Sequence, residues 1–218
     1  MLYVVATPIG DMSEISLRAL DVLKDAEIVI CEGTKETSKL LRHHGITGKR
    51  FEILDEHSKP EDLKNLLSLC QNHICALVTD CGTPSFSDPG ADLVGLCRQQ
   101  QVEVKSVLGP SSLMGLLSLS GKKLTQFVFR GFLSANTEER KRDLNELKKE
   151  KRAVVLMDTP YRLKKTLQDM QETFPRRQFL LVMNLSQNDE LCLEGSIETL
   201  IKKNPFEKAE FMLLIYPE

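Results

Sequence analysis

Residues 74–90 read Ile74-Cys75-Ala76-Leu77-Val78-Thr79-Asp80-Cys81-Gly82-Thr83-Pro84-Ser85-Phe86-Ser87-Asp88-Pro89-Gly90. The apolar run from Ile74 to Val78 has the length of a buried strand, and a loop rich in Gly, Pro, Ser, Thr and Asp follows it at once. Gly82 lets the backbone approach a ligand or take a positive φ, while Pro84 and Pro89 stiffen the path and remove two N–H donors. In open α/β sheets ligands bind beyond the carboxyl ends of the strands, so a stiff polar loop there is a candidate small-molecule site. The same residues also suit an ordinary strand-to-helix turn in which Asp88 and Pro89 cap the next helix. The stretch alone does not separate the two readings.

The strand-then-helix unit repeats on both sides of this stretch. Strands are expected over Leu2 to Ala6, Ala26 to Cys31, Phe51 to Leu54, Ile74 to Val78 and Val102 to Val107. Helical spacing fills the intervals, over Ser13 to Leu23, Lys35 to His44, Glu61 to Cys70 and Ala91 to Gln100, with a small apolar helix ending at Leu119. This alternation predicts a mostly parallel sheet with helices on both faces. From Gln126 the pattern changes to mixed α/β, and its last strand, Glu210 to Tyr216, is expected to pair antiparallel. Ser120-Gly121-Lys122-Lys123 reads as a polar linker. The expected architecture is two α/β domains, 1–120 and 121–218, with a cleft between them.

Bulk composition narrows the function classes. With 41% hydrophobic and 28% charged residues the chain is of ordinary globular type. No apolar run reaches the roughly 20 residues of a membrane span, and no basic leader precedes the first strand, so a cytoplasmic protein is expected. The six cysteines form no C-x-x-C pair and mostly lie in apolar runs, which predicts reduced, buried thiols; the four histidines lack metal-ligand spacing, and no metal is expected. A net charge of −2 argues against a whole-surface nucleic-acid binder, though a local basic patch remains open.

Five loops fall at the carboxyl ends of the first-domain strands: Thr7 to Asp11, Glu32 to Thr34, Asp55 to His57, Asp80 to Pro84 and Gly109 to Ser112. A parallel sheet gathers them along one edge. None has P-loop or dinucleotide-fingerprint glycine spacing, and no Ser/His/Asp grouping suggests a triad. Residue type alone favours reading Glu32 as a helix-start carboxylate and His57 as a satisfied loop histidine.

A set of ordered motifs carries more: Ala6-Thr7-Pro8-Ile9-Gly10-Asp11, Ile15-Ser16-Leu17-Arg18-Ala19-Leu20, Cys31-Glu32-Gly33-Thr34-Lys35, Thr79-Asp80-Cys81-Gly82-Thr83-Pro84 with Ser87-Asp88-Pro89-Gly90, Gly109-Pro110-Ser111-Ser112, Gly131-Phe132-Leu133 and Thr159-Pro160-Tyr161-Arg162. In order and spacing they resemble the tetrapyrrole (corrin/porphyrin) methylase superfamily over nearly the whole chain. Within it they are most similar to the branch that methylates a cytidine ribose 2′-hydroxyl of 16S small-subunit ribosomal RNA. The resemblance implies the tetrapyrrole methylase-like fold, a homodimer, and S-adenosylmethionine held in the cleft. Carried over position by position, it implies cofactor contacts from Pro8, Cys81, Gly82, Thr83, Phe86, Ser111 and Ser112, and from Met157, Asp158 and Leu185 of the second domain. Amides at Gly82 and Thr83 suit a methionine carboxylate, and Phe86, Met157 and Leu185 suit an adenine and a thioether. A sulfonium donor needs no metal, only alignment and removal of the nucleophile's proton. Glu32 is the first candidate for that base or orienting acceptor, with Asp11 second and His57 third.

The departures from that branch fall on substrate-side charges. Asp11 stands for its Asn, Glu32-Gly33-Thr34-Lys35 for Glu-Asp-Thr-Arg, Met157 to Arg162 for Tyr-Glu-Ser-Pro-His-Arg, and Asn184-Leu185-Ser186-Gln187 for Glu-Leu-Thr-Lys; the branch's extra C-terminal segment has no counterpart before Glu218. Two other readings therefore stand beside ribosomal RNA or the small ribosomal subunit as partner. One is a methylase of the same fold acting on a tetrapyrrole or other small metabolite, and the other a paralogue that binds cofactor without catalysis. The basic run Arg140-Lys141-Arg142 and Lys148 to Arg152 is interleaved with Glu138, Glu139, Asp143, Glu146 and Glu150, which favours a self-paired solvated face over an RNA contact.

Overall fold

The computed structural model describes residues 1–86 and 88–217; Ser87 and Glu218, the first of them part of the loop motif quoted above, lie outside the described residues. The chain divides into two compact units, Met1–Ser111 and Ser112–Glu218.

The first unit contains β1 (Leu2–Val5), α1 (Leu17–Asp25), β2 (Ile28–Cys31), α2 (Thr34–His43), β3 (Arg50–Ile53), α3 (Pro60–Asn72), β4 (Cys75–Leu77), α4 (Ala91–Gln99) and β5 (Val104–Val107). All its pairings are parallel, in the order β3-β2-β4-β1-β5. Chain travel runs toward one edge from β1 to β3 and then reverses. Right-handed crossovers put the helices of the two journeys on opposite faces. Alternation along the strands agrees: Val29, Cys31, Ala76 and Val78 pack with residues of α1 and α2. Ile28, Ile30, Cys75 and Leu77 pack with residues of α3 and α4. The reversal also decides which loops are neighbours. The long loop after β4 emerges between those of β2 and β1, and the loop after β5 lies beyond β1.

In the second unit α5 (Ser112–Leu119) precedes β6 (Phe127–Gly131), α6 (Thr137–Leu147), β7 (Ala153–Asp158), α7 (Leu163–Thr173), β8 (Gln178–Met183), β9 (Leu191–Ser196), α8 (Ile197–Lys203) and β10 (Phe211–Ile215). The sheet order is β6-β7-β10-β8-β9; β6 and β7 are parallel and the other pairs antiparallel, so the last strand pairs as its sequence implied. Helices α6, α7 and α8 cover one face, with Leu144, Leu167, Met170 and Leu200 on the strands' Leu156, Leu181 and Leu213. Helix α5 covers the other through Leu116, against Val155, Leu180 and Leu214. That packing puts α5 with the second unit, so the division by contacts falls before this helix, whereas the polar linker of the sequence follows it.

Two expectations need correction. Cys31, Cys70, Cys75 and Cys97 are buried as expected, but Cys81 and Cys192 are exposed, because each lies on a loop or on an edge strand; all six are free thiols. Arg140, read as part of a solvated basic run, turns inward and is 6% exposed. Its guanidinium donates to Asp169 at 2.6 Å, Asp158 at 3.0 Å and Thr166 at 2.8 Å. Two other cations of the run do pair locally, Lys141 with Glu138 at 3.1 Å and Arg152 with Glu150 at 2.6 Å. No helix among the described residues is long and apolar enough to cross a membrane.

Replacing Arg140 by Met strands two buried carboxylates without their guanidinium. Loss of one partner from a buried ionic network costs about 3–5 kcal/mol. The urea midpoint of Arg140→Met should fall accordingly, and an unchanged midpoint would refute the structural role given to this network.

Candidate active site

The first unit's carboxyl edge is built on a short bridge between two loops. The Thr7 N–H donates to the Gly82 carbonyl at 2.8 Å, and the Gly82 N–H donates back to the Thr7 carbonyl at 3.1 Å. Thr7 is buried, and its hydroxyl also donates to the Thr79 carbonyl at 3.1 Å. Gly82 takes φ +83, where a side chain would be strained, although space around it is open. The third loop joins through the Thr83 hydroxyl, which donates to the Pro110 carbonyl at 3.1 Å, and through Gly109, where a Cβ would lie 3.0 Å from the Cβ of Ala6. Side-chain and main-chain bonds thus tie the ends of β1, β4 and β5 into one rigid rim.

Large apolar groups stay in solvent on this rim: Phe86 is 63% exposed and Leu108 78%. Cys81 and Thr83 are exposed beside them, Pro8 is buried under the bridge, and Ser111 closes the unit. One part of the sequence reading is corrected here. The Gly82 amide is already bonded to Thr7, so it is not a donor for a ligand carboxylate.

Acidic side chains gather next to the bridge. The Thr79 hydroxyl donates to Glu32, which follows the end of β2. Burial pushes Asp88 up to about 6, helped by the negative charges of Glu32 and Asp80. Asp80 is raised as well, first by burial and then by Glu32 and Glu36. Among the described residues no cation pairs with Glu32, Asp80 or Asp88, and no group of three or more His, Cys, Asp or Glu side chains is arranged to hold a metal ion.

Of the three sequence candidates for the base, only Glu32 lies in this cluster. Asp11 caps the 3-10 turn Met12–Glu14, its carboxylate accepting from the Ser13 N–H at 2.8 Å and held below the usual range chiefly by that bond. Asp11-Met12-Ser13-Glu14 has the D-x-x-E spacing of a capping box, so this role was visible in the sequence. His57 follows the edge strand β3 and is exposed, its ring 3.7 Å from Glu56. No hydrogen bond or ion pair joins either residue to Glu32 among the described residues. Asp88, conversely, does not cap α4, whose N-cap is Gly90 at φ +129. Asp88 instead lies within reach of the charges of Glu32 and Asp80, which spacing alone does not reveal.

In the second unit Met157 and Leu185 lie on the face covered by α5, which Ser112 begins. Leu185 sits between two residues in the left-handed region, Asn184 at φ +49 and Ser186 at φ +68, and packs so closely on α5 that a Cβ at Gly115 would fall 2.8 Å from it. Asp158 points to the opposite face. Its carboxylate accepts from Arg140, from Arg162 at 3.3 Å, from Thr166 at 3.2 Å and from the Thr159 N–H at 2.9 Å. That side chain is engaged by the protein itself.

Comparison with known proteins places these features in context. The model of the family described as Tetrapyrrole (Corrin/Porphyrin) Methylases matches residues 1–201. A protein of Leptospira biflexa serovar Patoc named ribosomal RNA small subunit methyltransferase I is 35% identical over 216 residues, 99% of this chain and 90% of the relative. Its namesake in Thermotoga maritima is 32% identical, over 97% of each chain. Among solved structures, diphthine synthase superposes with a TM-score of 0.74 at 14% identity, covering 99% of this chain and 89% of that one. Uroporphyrin-III C-methyl transferase from Thermus thermophilus, complexed with S-adenyl homocysteine, gives 0.66 at 18% identity, covering 99% and 96%. The last two likenesses concern the fold.

The Asp88 shift has a fixed sign. Its folded pKa of about 6 lies above that of an unfolded aspartate, so between about pH 4 and pH 6 the native chain keeps a proton that the unfolded chain has lost. The favourable contribution is complete below that window and is lost as pH rises through 6. Asp88→Asn should therefore be more stable than the parent at pH 8, with the gap closing toward pH 4. Urea unfolding across that range checks it, and a pH-independent difference would contradict the assignment.

Proposed function

We propose that this chain, which belongs to the tetrapyrrole (corrin/porphyrin) methylase family, transfers a methyl group from S-adenosylmethionine to a ribose 2′-hydroxyl of small-subunit ribosomal RNA. The observation that carries the reading is sequence likeness running through 97–99% of the chain to relatives named ribosomal RNA small subunit methyltransferase I. The bridged rim supports it.

The residues present fit the cofactor. A left-handed glycine turn at Gly82 keeps the loop backbone bare, Phe86 offers an exposed apolar face for an adenine or thioether, and the nearby carboxylates suit a cationic group. Pro8, Cys81, Thr83 and Ser111 complete the set in the first unit. In the second unit Ser112, Met157 and Leu185 offer apolar and hydroxyl surface on one face, while Asp158 has only its main chain to contribute. When bound, S-adenosylmethionine supplies an electrophilic methyl on a positively charged sulfur. The protein then has to hold the attacking hydroxyl in line and take its proton. Glu32 is assigned that task because it is the carboxylate at the end of β2, oriented by a buried threonine beside the glycine turn. The acidic rim gives phosphates no local attraction, so on this reading RNA is gripped away from the reacting hydroxyl.

Calorimetric titration with S-adenosylmethionine should give saturable one-site binding. Mapping of ribose methylation in a strain lacking the gene should show one small-subunit position losing its methyl group, and an unchanged map would remove the RNA acceptor. Glu32→Gln should lower the transfer rate about 10²–10⁴-fold with cofactor affinity retained; a variant as fast as the parent would take Glu32 out of the chemistry.

A further inference from the structure

A cavity of about 600 Å³ lies on the α3 and α4 face of the first sheet, beside the edge strand β5. That size falls in the range of roughly 300–1,000 Å³ usual for ligand pockets. Its floor is apolar, with Val4, Val94, Val102 and Val104 reaching it half-buried. The position follows from the topology: α3 and α4 pack on this face, but the helix after β5 packs on the second unit's sheet, so β5 has no following helix to cover it.

Three features distinguish this cavity. Among the described residues no carboxylate lines it, and the Arg98 guanidinium, which does, has no ion pair or hydrogen bond. The Ser85 side chain borders it too, and its hydroxyl is shielded from solvent with no hydrogen-bond partner; an occupant that accepts its proton would satisfy it after one rotamer step. Finally, the first unit's described non-glycine residues in the left-handed region, Ser85 at φ +70 and Gln101 at φ +57, both line the cavity. Gln101 closes α4 in a turn where its N–H donates to the Arg98 carbonyl at 3.2 Å and the Val102 N–H to the Cys97 carbonyl at 2.8 Å, a place that favours glycine. A glutamine held there against backbone strain points to use of its side chain.

We propose that this groove is a subsite for one nucleotide of single-stranded RNA, its base on the valine floor with an edge toward Gln101 and its phosphate on Arg98. The inference rests on the reading of RNA as the acceptor. A guanidinium takes phosphate oxygens bidentately, and an apolar floor suits the face of an unstacked base. Free nucleoside phosphates share that chemistry, but the groove favours a chain. It begins at Thr83 and Ser85, on the loop that leaves the carboxyl end of β4, and ends at Arg98 and Gln101, where α4 returns to the amino edge of the sheet. Between them the stretch from Ser106 back to Val102 spans about 13 Å. A strand leaving the rim thus has a lined path to a cation on the far side from Glu32, Asp80 and Asp88, whose charge repels phosphates.

The test uses the full chain with ¹³C-labelled valine methyl groups, titrated with a short single-stranded RNA, with nucleoside 5′-monophosphates and with inorganic phosphate. RNA should shift the methyl resonances of Val94, Val102 and Val104, nucleoside monophosphates should do so more weakly, and inorganic phosphate should leave them in place. Arg98→Met, which keeps an unbranched apolar stem, should weaken RNA binding about tenfold or more and lower the slope of log affinity against log salt by about 0.7. Gln101→Gly relieves the strained turn, so its urea midpoint should hold or rise while RNA affinity falls. In the methyl-transfer assay Arg98→Met should raise KM for RNA with kcat kept. Valine methyls unmoved by RNA overturn the subsite, even where free nucleotides shift them, as does an Arg98→Met chain that binds RNA like the parent. Shifts that follow protein concentration alone would mark the groove as a contact between copies and overturn it as well. Should the parent bind RNA here yet methylate none, the functional reading fails by itself and the subsite stands.

Discussion

Two main-chain hydrogen bonds, between Thr7 and Gly82, hold the rest of the first unit's edge in place. They connect loops from strands that are already neighbours in the sheet, so little loop entropy opposes them, and they fix Gly82 in a conformation that only glycine takes cheaply. The Thr7 hydroxyl extends the bridge to Thr79, and Thr79 in turn orients Glu32. Rigidity at one pair of peptide groups is thereby passed to a carboxylate on a third strand. A carboxylate held in this way keeps its geometry through the protein's own hydrogen bonds.

The electrostatics of the rim oppose its assembly. Half-buried Glu32 and Asp88 and exposed Asp80 are brought together with no cation paired to them among the described residues, and the repulsion shows as raised proton affinity at Asp80 and Asp88. The second unit treats buried charge differently. Asp158 and Asp169 face Arg140, and Arg162 and Lys165 complete the neutralisation from the surface side. Paired groups of that kind hold a fold together, whereas uncompensated ones of like sign are met more often at functional sites.

How much of this was legible in the sequence follows from what each signal depends on. Strand and helix positions came through because alternation and helical spacing are local, and the parallel first sheet followed from their order. Strand parity could have gone further: Met157 and Asp158 are adjacent on β7, so they must face opposite sides of the sheet, and only one can belong to the α5 face. The D-x-x-E spacing at Asp11 similarly announced a cap. Asp88 was beyond reach, since its nearness to the charges of Glu32 and Asp80 arises from the path of a proline-stiffened loop. The packing of α5 was equally hidden, because a short apolar helix gives no hint of which sheet it will cover.

The order of strands in the second sheet bears on how the chain is made. β10 lies between β7 and β8 and is apolar and buried throughout. Until residues 211–215 have left the ribosome, the two halves of that sheet have no middle, and β7 and β8 present bare inner edges to solvent. The first unit has no such dependence, since every strand of its sheet comes from residues 2–107. Synthesis from the amino end therefore delivers a finished first unit alongside an open second sheet, and that interval is when the chain is most exposed to wrong edge pairing and most in need of a chaperone.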